Sequence, residues 1–167
     1  TFIIMSSELR VDKIIPTAGV PTGGAGGVIQ VVGTMNTTQV STTTTLLNNP
    51  TDSGMSVVIT PKFATSKILI MVNASLRGDG TAWVNAMIKR NGTLIDYSAC
   101  VDHGILDYAI NNTAGNSSWN FFDSPNSTSA LTYKFFFSRY GGSGTAYFNN
   151  NGNHYSCSTM TAMELSA

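Results

Sequence analysis

Apolar and polar residues alternate with a period of two along most of this chain, and that period, not the helical 3.6, organises it from Val28 onward. Val28 to Val32 and Thr37 to Leu47 are rich in strand-forming residues. The cluster Asn48-Asn49-Pro50-Thr51-Asp52-Ser53-Gly54 breaks them before a further strand at Met55 to Thr60. Lys67 to Asn73 is apolar at both alternating positions, which predicts a central strand covered on both sides. From Ala82 to Lys89, Val84, Ala86 and Ile88 share one face while Trp83, Asn85 and Met87 share the other. Asn91-Gly92 follows, a dipeptide suited to positive φ at both central residues, so the chain should return antiparallel over Thr93 to Ala99. Tyr133, Phe135 and Phe137 alternate with Thr132, Lys134 and Phe136, and their spacing favours core packing over a ligand site. Gly141-Gly142-Ser143-Gly144 is then read as the loop of a second hairpin, returning over Thr145 to Phe148, and Ser158 to Leu165 is the last strand.

Residues 1–27 lack this order. Ile14 to Gly27 has two prolines, a run of glycines and no sustained period, and it reads as an extended arm ahead of a domain spanning residues 28–167. The glycines do not make a phosphate loop, because the Lys-Ser/Thr ending is missing. The domain carries about eight to ten short strands and no helical pattern, which predicts an all-β antiparallel sandwich or jelly roll.

Composition sharpens this picture through charge. Only 11% of the 167 residues are charged, nine basic against nine acidic, where an ordinary domain has about 25%. Ser, Thr and Asn supply roughly a third of the chain instead, a strand-and-turn composition. The scarcity of Lys and Arg argues against a nucleic-acid partner, and no apolar run approaches the 18 or so residues of a membrane span. The opening Thr1-Phe2-Ile3-Ile4-Met5 lacks the basic start and long apolar core of a secretory signal, and Met5 offers an alternative start. Cys100 and Cys157 are read as reduced, partly buried thiols, with one disulfide between them as the alternative. Strand edges and faces of an isolated subunit normally carry Lys and Glu, so their shortage points to burial in an oligomer.

Catalytic chemistry finds little support. His103 and His154 are the only histidines, and Asp102-His103 with Asp107 lacks the ligand spacing of a metal site. No Gly-x-Ser-x-Gly turn leads into a helix, and nothing in the carboxylate spacing selects an acid/base pair. The chain is therefore expected to be no enzyme and to need no cofactor. Asp102, His103, Trp119, Tyr140, His154 and Tyr155, read as lying in or beside loops, are the candidate binding residues. Exposed rings beside amides and carboxylates suit sugars, although packing a loop is the commoner use of each ring.

The residues also resemble a family. Ser7 to Pro16, Gly19-Val20-Pro21 and the Gly-rich stretch into Val28 to Val32 look like the opening of fibre-type virion proteins of tailed phages, the marine and cyanobacterial ones especially. Ile59-Thr60-Pro61, Thr65 to Ile70, Lys89 to Thr93, Phe122 to Pro125, Ala130 to Tyr133 and Thr159 to Leu165 follow in the family's order, so the resemblance spans about residues 7–167. It implies a homotrimeric jelly roll akin to complement and tumour-necrosis-factor heads, displayed on a virion as a short projection, fibre or capsid decoration protein. It further implies a final strand near the threefold axis, with Met160, Ala162, Met163 and Leu165 as candidates. Ile14, Ile15, Pro16, Val20 and Pro21 become candidate anchoring residues of the arm. The implied partners are identical copies, other capsid or tail proteins, and a host surface glycan or protein. A receptor-binding tail-fibre tip and a monomeric carbohydrate-binding sandwich are the alternatives.

Overall fold

The computed structural model describes residues 27–45, 49–95, 106–109, 114–151 and 154–166. Every regular element among them is a strand: β1 (Val28–Asn36), β2 (Val40–Thr42), β3 (Thr51–Ile59), β4 (Lys67–Gly78), β5 (Trp83–Arg90), β6 (Thr93–Leu94), β7 (Leu106–Ala109), β8 (Ala114–Asp123), β9 (Leu131–Gly141), β10 (Ala146–Phe148), β11 (Asn150–Asn151), β12 (His154–Tyr155) and β13 (Ser158–Leu165). Two antiparallel sheets form a sandwich. In the first, β1 pairs β13, β13 pairs β4 and β4 pairs β8, while β10 takes over from β13 along the end of β4 and carries β2 on its outer side. In the second the order is β3-β9-β5, with β6 and β7 both on β5.

The core follows from the alternation. Ile68, Ile70, Val72, Ala74 and Leu76 of β4, with Met160 and Ala162 of β13, meet Tyr133, Phe135 and Phe137 of β9 and Val84, Ala86 and Ile88 of β5, all buried. Phe148 joins the sheets, with its ring 5.5 Å from Phe135 and 6.0 Å from Phe137. Several polar side chains that enter this interior are tied by hydrogen bonds. Arg90 donates through Nη1 to both Asp123 oxygens, at 2.7 and 2.6 Å. Glu164, fully buried on β13, accepts from Lys62 N at 2.7 Å and Gln30 Nε2 at 2.5 Å. Asn149, at φ 56°, donates to Asn36 O and Thr38 O and accepts from Ser158 Oγ.

The Asn91-Gly92 turn forms as expected, with φ of 49° and 85°. Four expectations need correction. Gly141 to Gly144 does not close a hairpin: β9 lies in the second sheet and β10 in the first, so the loop carries the chain across the sandwich. Glycine is needed there because a Cβ on Gly142 would stand 1.9 Å from Thr81 O. Second, β3 already starts inside the expected break, since Gly54 at φ 75° allows the irregular register between Asp52 and Ser56. Third, of Thr37 to Leu47 only Val40–Thr42 is strand, with residues 46–48 outside the described residues. Fourth, Cys157 is exposed, because the inward position next to it belongs to Ser158.

Candidate interaction surfaces

The apolar alternation of Lys67 to Asn73 on both faces has an unexpected outcome. Its inward residues fill the core, but Leu69 and Met71 point out of the sandwich and are only half buried. Register makes this a row: Val31 on β1 stands opposite Met163 on β13, Met163 opposite Leu69 on β4, and Leu69 opposite Phe122 on β8. Side chains directly opposite on one sheet face are close neighbours, so an apolar stripe crosses four strands. Its ends are open, with Val31 53% and Phe122 61% exposed. The next rows are Gly33, Thr161, Met71 and Asn120, then Met35, Thr159, Asn73 and Ser118.

Charge separates the two outer faces. On β1, β13, β4 and β8 the only outward charges among the described residues are Lys67 and Arg77, at opposite ends of β4. Arg77 lies flat over the Tyr147 ring, 4.2 Å from its centroid. The outer face of the second sheet does carry charge, where Lys134 pairs with Asp52 at 2.9 Å and Lys89 lies over Phe136, beside exposed Val58 and Trp83 and the buried Asn85, Met87 and Ser138.

Beyond the end of β4, Asp79 organises a corner. Its carboxylate accepts from Thr145 N at 2.5 Å and from the Tyr147 hydroxyl at 2.8 Å. The Thr145 N–H first, then the Tyr147 hydroxyl, and less strongly the Arg77 charge, hold the Asp79 carboxyl below its ordinary range against the opposing effect of burial. At the other end of the sandwich, burial and the hydrogen bond to Asp123 push the Tyr133 phenol well above its ordinary value. Burial also opposes the Arg90 charge, but its hydrogen bond and attraction to Asp123 outweigh that and raise its pKa. These ionisable groups knit strands together, and among the described residues no three of His, Cys, Asp and Glu converge.

Of the residues singled out from sequence, Asp102, His103 and the arm residues Ile14, Ile15, Pro16, Val20 and Pro21 lie outside the described residues, as does Cys100. His154 and Tyr155 form β12, opposite Asn151 and Asn150. Trp119 belongs to the middle of β8 instead of a loop, its ring 5.7 Å from Phe135. Tyr140 lies near the end of β9, 6.2 Å from Trp83. Strand alternation splits the four candidates on β13, since Met160 and Ala162 are in the core while Met163 and Leu165 face outward. Val31, Leu69 and Phe122 were not singled out. The double-sided apolar pattern of β4 was the available signal for the patch.

No family model matches the chain, and no curated protein does. Among solved structures it is similar to that of infectious bursal disease virus Gt strain, at 14% identity and a TM-score of 0.47 over 95% of this chain and 43% of that one. The Gx strain gives 14% and 0.47, over 95% and 42%. The VP2 subviral particle of the same virus gives 13% and 0.45, also over 95% and 42%. The chain thus spans less than half the length of each.

Proposed function

We propose that this chain is a non-enzymatic structural protein of a tailed-phage virion, a short trimeric projection, fibre or decoration protein whose arm anchors it and whose loops meet the host surface. The row Val31, Met163, Leu69 and Phe122 carries the reading. A subunit that stays single gains nothing from an uncharged apolar stripe, while interfaces between permanent partners are apolar and poor in charge. The contrast with the second sheet, which wears Asp52, Lys89 and Lys134, supports a specific covered face. The occupant is two further copies of the chain. Identical subunits meeting on this face bring no acid to balance Lys67 or Arg77 and so favour apolar contact at the row. The virion setting is supported by the resemblance of residues 7–167 to tailed-phage fibre proteins.

Light scattering on the purified chain tests the assembly. Three subunits of 17.7 kDa per particle are expected, and Leu69→Glu should give a folded monomer with an unchanged circular dichroism spectrum. A wild-type monomer at tens of micromolar would overturn the reading. Immunogold labelling of the intact particle tests the virion setting.

A further inference from the structure

The two sheets differ at their edges. At one side of the second sheet β3 carries Asp52 and the break in register around Gly54, and at the other side β6 and β7 are only two and four residues long. Charges, irregular register and short strands are the usual means by which a sheet avoids pairing with another chain. The first sheet is open by comparison. Its outer strands β1 and β8 are nine and ten residues long, and among the described residues each is paired on one side alone. β1 holds no charged residue and runs in unbroken register from Gln30 to Asn36. β8 holds only Asp123, at its end, and that carboxylate is taken up by Arg90 and Tyr133.

The apolar row ends on these same two strands, at the exposed Val31 and Phe122. Strand spacing then decides how many copies can meet there. Four strands at about 4.8 Å apiece make a sheet about 19 Å wide, and three such sheets set edge to edge, outer faces inward, enclose a triangular prism whose axis lies about 5.5 Å from each sheet. That is about half the 10 Å at which sheets pack face to face, so side chains of ordinary length fill the centre. Four copies would set the axis about 10 Å away and leave a pore. Lys67 and Arg77, at opposite ends of β4, fall at the two mouths of the prism, where water reaches them. Since β1, β13, β4 and β8 alternate in direction, β8 of one copy runs antiparallel to β1 of the next.

We propose that the trimer closes edge to edge, with β8 of each copy beside β1 of the next and Phe122 of one against Val31 of the other, so that the row becomes a continuous ring about the threefold axis. This deepens the assembly proposed above and rests on it, naming the contact by which the copies join. The contact is heterologous, one surface meeting a different one, and such contacts either close into rings or run on as filaments. The width of the sheet closes this one at three.

Disulfide cross-linking of the full chain tests it, in a background of Cys100→Ser and Cys157→Ser. Within one subunit Val31 and Phe122 are three strand spacings apart, about 14 Å, far beyond the roughly 7 Å that the Cα atoms of a disulfide allow. A bond between cysteines at these positions therefore joins two copies. Oxidised with copper phenanthroline, the double variant Val31→Cys, Phe122→Cys should run as a covalent trimer on a non-reducing gel. Each single variant should run as a monomer, and the two co-expressed should give covalent dimer and nothing larger. Met35→Cys with Ser118→Cys, both exposed and at the ends of a parallel row, repeats the test in case the first pair fails to fold. A particle that light scattering shows to be trimeric but that neither pair cross-links overturns the edge contact and leaves the trimer standing. So does self-linking of Val31→Cys alone or a ladder running past the trimer, while a wild-type monomer removes contact and trimer together.

Discussion

Tyr133 donates its phenolic hydrogen to Asp123 Oδ2 at 2.6 Å, joining the start of β9 to the end of β8 across the sandwich. Arg90 holds the same carboxylate from β5, so three strands share one acceptor. Tyr133→Phe should cost about 1–2 kcal/mol in urea unfolding, the price of a charge-assisted bond lost in a buried setting. Asp123→Ala should cost more, because it strands the phenol and half-exposed guanidinium together. The pH dependence has a definite sign. Tyr133 titrates above its unfolded value, so its contribution is complete below about pH 10 and shrinks as the pH rises beyond it. Wild type should therefore lose stability in alkali more steeply than Tyr133→Phe, measured by melting at pH 8 and pH 11.

Glu164 is an acid inside the sandwich, and its oxygens face only donors: Lys62 N, Phe63 N and Gln30 Nε2. Glu164→Gln should therefore turn an amide N–H toward one of these donors and destabilise the fold by about 1–3 kcal/mol despite conserving shape. Gln30→Ala removes one donor of three and should cost less. Chemical denaturation of both variants gives the order.

Glycines at positive φ separate into two kinds. Gly92 at φ 85° has nothing within 4 Å of a built Cβ, so Gly92→Ala meets only backbone strain, about 1 kcal/mol. Gly142 and Gly144 face backbone oxygens of Thr81 and Asp79 at 1.9 and 2.2 Å. Gly142→Ala must move the crossing loop, so its loss should exceed that of Gly92→Ala by at least about 2 kcal/mol. Equal melting temperatures for the two variants would contradict the packing.

Acid should loosen one corner before the core. Asp79 titrates below its ordinary value of 3.8, so its stabilising bonds to Thr145 and Tyr147 are complete above that value and are lost as the pH falls through the depressed folded pKa. Amide exchange at Thr145 should accelerate, relative to Phe135 in the core, between pH 4 and pH 2. Asp79→Asn should remove that pH dependence.

Most strands were legible because alternation is a local property: β5, β9 and β13 can be drawn from their own residues, and Asn91-Gly92 specifies its turn. Which sheet a strand joins is not local, and Gly141 to Gly144 shows this, since the glycines announce a change of direction without saying whether the chain folds back or crosses over. Trp119 was misplaced for a related reason. Its Asn and Ser neighbours resemble a loop, but on β8 they are the outward half of a strand whose inward half reaches Phe135. The outward partners Val31, Leu69 and Phe122 come from three distant segments. Their alignment exists only once register is set, as does the approach of Arg90 to Asp123.

The position of β13 between β1 and β4 also sets an order of events during synthesis. Both neighbours leave the ribosome long before residues 158–165, so β1 has no partner in its sheet, and β4 leaves a long edge open, until that segment arrives. Distant pairing of this kind folds slowly, in milliseconds to seconds for comparable all-β domains, roughly speaking. During the wait the apolar edge of β4 is an adhesive surface on a nascent chain, so crowding of several chains on one messenger and the supply of chaperones should govern yield more than the stability of the finished sandwich.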